Sequence, residues 1–105
     1  MFKKSILMKV YPEMHEEYEK RHQEIWPEMV EGLKEHGVNR YLIYLDEETS
    51  LLFGYLEIED LELWDKFSST EINQKWWRYM EPVMETNEDS SPVAKELRLV
   101  FSLEK

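Results

Sequence analysis

The sequence predicts an α+β fold: a ferredoxin-like βαββαβ unit, a four-stranded antiparallel sheet with its helices on one face. Three observations predict it. Short runs with a period of two alternate with longer runs at helical spacing. The two middle strand-like runs are joined by only "EETS", which makes them an antiparallel hairpin. The chain has 105 residues, which suits one domain with few spare core positions.

The elements follow in order. In residues 2–10, Phe2, Ile6, Met8 and Val10 fall on one side, with Lys4 the exception. Lys3, Ser5 and Lys9 fall mostly on the other, and this alternation is that of a strand. Tyr11-Pro12 ends it. From Glu13 to His36 the spacing turns helical, with Met14, Tyr18, Ile25, Met29 and Leu33 on one stripe. Pro27 lies inside this run. It lacks a backbone donor and clashes with the preceding turn, so a kink or a restart is expected near Trp26. Gly37 supplies a helix stop.

"VNRYLIYLD", Val38 to Asp46, and "LLFGYLEIE", Leu51 to Glu59, read as strands. Both are apolar on both faces, which predicts inner strands covered on each side. Asp60 to Glu85 is helical again, with Leu61, Trp64, Phe67 and Ile72 marking its buried side and Ser69 or Thr70 capping a second segment. "TNEDSSP" is a loop of turn-forming residues. Leu97, Leu99, Phe101 and Leu103 alternate with Arg98 and Ser102 in a last strand. The helix-free face of such a sheet needs cover, because Tyr and Leu residues lie on both sides of the middle strands. Two sheets facing each other in a homodimer provide it.

Composition removes several function classes. The formal net charge is -10, and no basic patch stands out. Nucleic acid and anionic membrane surfaces are therefore excluded as partners, whereas a neutral ligand such as a sugar meets no long-range repulsion. There is no cysteine, so thiolate nucleophiles, disulfides and Cys-based metal sites fall away, and a reducing cytoplasm fits. Lys9 breaks the N-terminal apolar run below the ~7–15 residues of a secretory signal, and no stretch approaches the ~20 of a membrane span. A cytoplasmic location is expected.

The candidate chemistry lies on the helices. In "EYEKRHQEIWP", Tyr18 and His22 are one turn apart and share a face. A histidine titrating near ~6.5 exchanges protons at neutral pH. His15, His22 and His36 are spaced too widely for a close ligand pair, so no metal site is expected. In "QKWWRYM", Trp76 and Trp77 point ~100° apart, so one core does not easily bury both. One reading puts one indole in the core and the other at an interface; the second makes them a platform for the apolar face of a sugar. Tyr41 and Tyr44 lie on opposite faces of their strand, with Tyr41 placed in the core or at a pocket. Asn87 and Asp89 serve either sugar hydroxyls or a turn. No nucleophile elbow or phosphate-cradling loop is present.

The stretches "YEKRHQEIWPEM", "YLIYLD", "LLFGYLEIE", "KWWRYM" and "NEDSSPV", in this order and at this spacing, closely resemble the L-rhamnose mutarotase family. The likeness covers essentially the whole chain, residues 1–105, read as a single mutarotase-like domain. One departure is Glu88, where the family has proline. The resemblance implies a dimeric α+β barrel and interconversion of the α and β anomers of L-rhamnose, a step in rhamnose use, with no cofactor. It implies substrate contacts from Tyr18, Tyr41, Trp76 and Trp77, and His22 as proton donor. Two other readings of the same fold stand beside it: a cofactor-free oxygenase-like enzyme, and a sugar-binding module without turnover.

Overall fold

The hydrophobic alternation at the N-terminus forms strand β1, Phe2–Lys9, and the computed structural model, which describes residues Met1–Lys105, places it at the centre of the sheet. A short 3-10 turn over Pro12–Met14 leads into α1, His15–Gln23, and α2, Pro27–Glu35. Then come β2, Val38–Asp46, β3, Leu51–Ile58, α3, Leu61–Phe67, α4, Glu71–Met80, and β4, Lys95–Leu97. The strand order is β2-β3-β1-β4, and every pairing is antiparallel. This is the expected ferredoxin-like βαββαβ arrangement, as an open sheet.

The helical breaks have local causes. Pro27 takes the first position of α2, where its missing N–H costs nothing, so the helix restarts after extended Trp26. Gly37 has φ 88, the left-handed conformation that closes α2, and an added Cβ would sit 3.3 Å from the Asp60 nitrogen. The Asp60 carboxylate accepts from the Glu62 and Leu63 amides and caps α3. Thr70 Oγ1 accepts from the Asn73 amide and caps α4. Each cap contributes about 1 kcal/mol.

Register fixes the two faces of the sheet. Toward the helices stand three rows: Lys4–Leu56–Tyr41, Ile6–Gly54–Ile43 and Met8–Leu52–Leu45. Met8, Leu52 and Leu56 are buried there with Val10, Phe67, Trp76, Met80 and Val83. The opposite face carries Leu7–Phe53–Tyr44 and Ser5–Tyr55–Leu42, bounded by the charged row Lys3–Glu57–Arg40.

Three expectations are corrected. β2 is an edge strand, and the inner pair is β1 and β3. Its two-sided apolarity reflects helices on one face and an uncovered apolar row on the other, not neighbours on both edges. The second helical region stops at Met80, because the chain turns there and Met84 bridges Val10 as an isolated sheet contact. The last strand is only Lys95–Leu97, paired with Ser5–Leu7. Beyond it the alternating pattern continues without a partner in this chain. Leu99, Val100, Phe101 and Leu103 are 71–85% exposed, and Lys3 holds Glu104 at 3.0 Å.

Candidate active site

Helical spacing and the sheet register converge on one cavity. α1 stacks Tyr18 and His22 one turn apart, with ring centroids 4.4 Å from each other. α4 presents Trp76 edge-on to His22 at 5.4 Å. β2 presents Tyr41 on the helix-facing side of the sheet. All four line a cavity of about 1130 Å³ between the sheet and the helices, and Trp77 lines it too. Tyr18, His22, Tyr41, Trp76 and Trp77 are thus brought together. Both tryptophans reach the space, Trp76 buried in the core and Trp77 half-buried beside it. One indole is thus in the core, and both border the cavity.

The electrostatics follow from burial. His22 Nδ1 lies 3.0 Å from the Tyr18 carbonyl oxygen, which is an acceptor, so Nδ1 carries the hydrogen and Nε2 keeps its lone pair. Burial lowers the His22 pKa below its ordinary 6.5, and the Tyr18 carbonyl offsets this in part. The imidazole is consequently neutral at physiological pH. Burial, with a smaller contribution from Tyr41, pushes the Tyr18 phenol well above its usual range. Burial pushes Tyr41 up to about 12. Both phenols stay protonated, as hydrogen-bond donors.

The unpaired groups define the ligand chemistry. No buried side-chain nitrogen or oxygen lacks a partner. Tyr18 Oη, Tyr41 Oη, Trp76 Nε1, Trp77 Nε1 and His22 Nε2 nevertheless make no hydrogen bond within the protein, so each stands open to the space around it. Hydroxyl-rich molecules satisfy such a set, and the flat aromatic walls accept the apolar face of a pyranose. The carboxylates that line the cavity, Glu19, Asp46, Glu47, Glu48 and Asp65, belong to exposed residues at its rim.

Two residues outside the sequence-based set belong here. Asn73 is buried on the cavity wall, one turn before Trp76 on α4. Its Nδ2 donates to the Ser68 carbonyl at 3.2 Å, which turns Oδ1 away as a free acceptor. Helical spacing places 73, 76, 77 and 80 on one stripe, and a polar residue in that stripe was the available signal. Trp26 packs edge-on to Trp76 at 5.1 Å and backs the wall. Conversely, Asn87 and Asp89 do not line the cavity. Asn87 Nδ2 donates to Ser91 Oγ at 3.0 Å, and the Asp89 carboxylate accepts from the Ser91 amide and hydroxyl. They build a turn around Ser90, whose φ is 73. The turn is held by Asn87 N donating to Ser91 O at 2.7 Å, so it closes with Glu88 at its second position. His15 also lines the cavity, with its Nε2 2.8 Å from Ser50 Oγ, whereas His36 lies outside it, with Nδ1 2.7 Å from the Gly32 carbonyl.

Known proteins resemble this chain in sequence and fold. Residues 3–103 match the family model described as L-rhamnose mutarotase. An L-rhamnose mutarotase of Oceanobacillus iheyensis is 58% identical over 104 residues, covering 99% of this chain and 100% of that protein. The crystal structure of an L-rhamnose mutarotase from Formosa agariphila superposes with a TM-score of 0.90 at 36% identity, over 99% of this chain and 100% of the other. A dimeric ferredoxin-like protein from an uncultured marine organism superposes with a TM-score of 0.71 at 15% identity, over the full length of both chains, and shares the fold alone.

Proposed function

The chain belongs to the L-rhamnose mutarotase family, and from that premise we propose that His22 Nε2 is the atom that moves the proton when L-rhamnose changes anomer. The activity is that of a carbohydrate isomerase, interconverting the α and β forms of L-rhamnopyranose. The observation that carries the site assignment is the set of unpartnered polar groups around His22 and Trp76 in one aromatic-walled cavity.

Ring opening transfers one proton from O1 to O5 while the C1–O5 bond breaks. O1 and O5 are both bonded to C1, so one nitrogen reaches both. Neutral Nε2 accepts the O1 proton. The resulting imidazolium gives it to O5 as the ring opens, leaving an aldehyde, a C5 hydroxyl and neutral histidine. After rotation about C1–C2 the steps reverse: Nε2 takes the O5 proton as O5 attacks the other face of C1, then returns it to O1. His22 is thus the proton donor the family resemblance implies, and the proton it donates comes from the sugar. The Tyr18 backbone carbonyl, accepting from Nδ1–H, stabilises the transient imidazolium. General acid–base catalysis of this kind is worth ~10²–10⁴ in rate.

Tyr18 and Tyr41 donate to sugar oxygens as neutral phenols. Trp76 and Trp77 stack on the sugar and offer indole N–H groups, and Asn73 Oδ1 accepts from a hydroxyl remote from C1. Aromatic walls grip with few fixed hydrogen bonds, which leaves the aldehyde free to turn. Residues 1–105 act as one domain, in the cytoplasm, with no cofactor and neither nucleic acid nor membrane as partner. No helix is long and apolar enough to cross a membrane. A homodimer forms through the open sheet face, where the row Leu7–Phe53–Tyr44 and the exposed Leu99–Leu103 segment supply apolar surface. Two such sheets face to face make the α+β barrel.

Freshly dissolved L-rhamnose, followed by polarimetry with and without the protein, tests the activity. Acceleration for L-rhamnose above other aldoses is expected. Saturable quenching of tryptophan fluorescence by L-rhamnose without any acceleration would point instead to binding without turnover.

A further inference from the structure

Arg21 sits next to His22 in sequence yet points out of the cavity toward α4. Its Nε donates to Glu17 Oε2 at 2.8 Å, one turn back on α1. Its Nη1 donates to the Tyr79 carbonyl in the last turn of α4. Its Cζ lies 4.2 Å from the centre of the Tyr79 ring. Carbonyls in a last helical turn have no partner within the helix and carry the negative end of its dipole, which suits a guanidinium. The Arg21 side chain is only 18% exposed, whereas Glu17 and Tyr79 are 38% and 39% exposed, so the fork geometry and not the strength of the ion pair carries the clamp.

The same ring continues inward. Tyr79 packs on Trp76 at 5.6 Å and on Trp26 at 5.1 Å, and Trp76 meets the His22 ring at 5.4 Å. One guanidinium therefore fastens the helix that carries Tyr18 and His22 to the helix that carries Trp76 and Trp77. We infer that Arg21 is a positioning residue for anomer exchange: its fork to Glu17 and the Tyr79 carbonyl sets the gap between the His22 and Trp76 rings. A lysine has the charge but not the fork, and so reproduces only part of the clamp.

The inference rests on the assignment of His22, and the experiment separates the two. Saturation kinetics of L-rhamnose anomer exchange by NMR are measured for R21M, R21K and H22A, alongside the thermal midpoint of each and the cross-relaxation between His22 and Trp76 ring protons. R21M is expected to lose ~10–100-fold in kcat, the scale of a misplacement of about 1 Å, with KM changed less than about threefold. R21K recovers part of the loss, and the ring-to-ring cross-peak weakens in R21M. Tyr79→Leu keeps the carbonyl contact, removes the ring and gives a smaller loss. Folded R21M with unchanged kcat and an undiminished cross-peak, beside an inactive H22A, overturns the role of Arg21 and leaves that of His22 standing. If R21M does not fold, R21K with unchanged kcat and an undiminished cross-peak overturns it equally, because a lysine lacks the fork. An active H22A overturns the assignment on which both rest.

Discussion

Tyr41 and Tyr44 stand three residues apart on β2 and have opposite fates. Tyr41 faces the helices, and burial pushes its phenol up to about 12. Tyr44 faces away and is 64% exposed. One strand thus serves two purposes through its period of two. The helix-facing side lines the cavity proposed for proton transfer, and the other side carries the apolar row proposed for assembly. A substitution at either position is read by which activity it spares.

The largest effect is expected inside the cavity. His22→Ala should lower anomer exchange ~10²–10⁴-fold by removing the acid–base nitrogen, with the fold retained. Trp76→Ala comes next. It removes the sugar wall together with a buried core ring, so exchange is lost along with ~3–5 kcal/mol of stability in a denaturant titration. Tyr41→Phe keeps the ring and removes one donor, and kcat/KM should fall ~3–10-fold, the worth of a single hydrogen bond. On the other face, Tyr44→Lys should leave the catalytic groups in place and shift the protein from dimer to monomer in light scattering.

A pH series sharpens the contrast further. The folded pKa of His22 lies below 6.5 because burial disfavours the cation. Below about 6.5 the unfolded chain binds more protons at this residue than the folded chain does, so stability falls as pH drops through that window. Exchange falls at the lower end of that window, as pH drops through the folded pKa of His22, since protonated Nε2 no longer accepts from O1. In H22A both losses should shrink, while Tyr44→Lys should retain them.

Much of the site was legible before the fold. Tyr18 and His22 at helical spacing give a shared face without further information, and alternation alone separates Tyr41 from Tyr44. The helix restart at Pro27 follows from one ring. Less local features were not legible. Strand order depends on pairing across the chain, so β2 as an edge strand follows from tertiary contacts and not from its own composition. Arg21 and Asn73 look like ordinary charged and polar helix residues in one dimension. Their contacts to the Tyr79 and Ser68 carbonyls exist only once α1, α3 and α4 are packed. The residues after Leu97 have the pattern of a strand but no partner in the same chain, and pattern alone does not distinguish these cases.

The central claim is that His22 Nε2 relays the sugar's proton within this cavity. Two-dimensional exchange NMR between the α and β anomers of L-rhamnose, on wild type and H22A at matched folded concentration and pH 7, tests it most directly. Strong exchange cross-peaks with wild type and only the uncatalysed rate with H22A are predicted. Equal exchange with both proteins would contradict it.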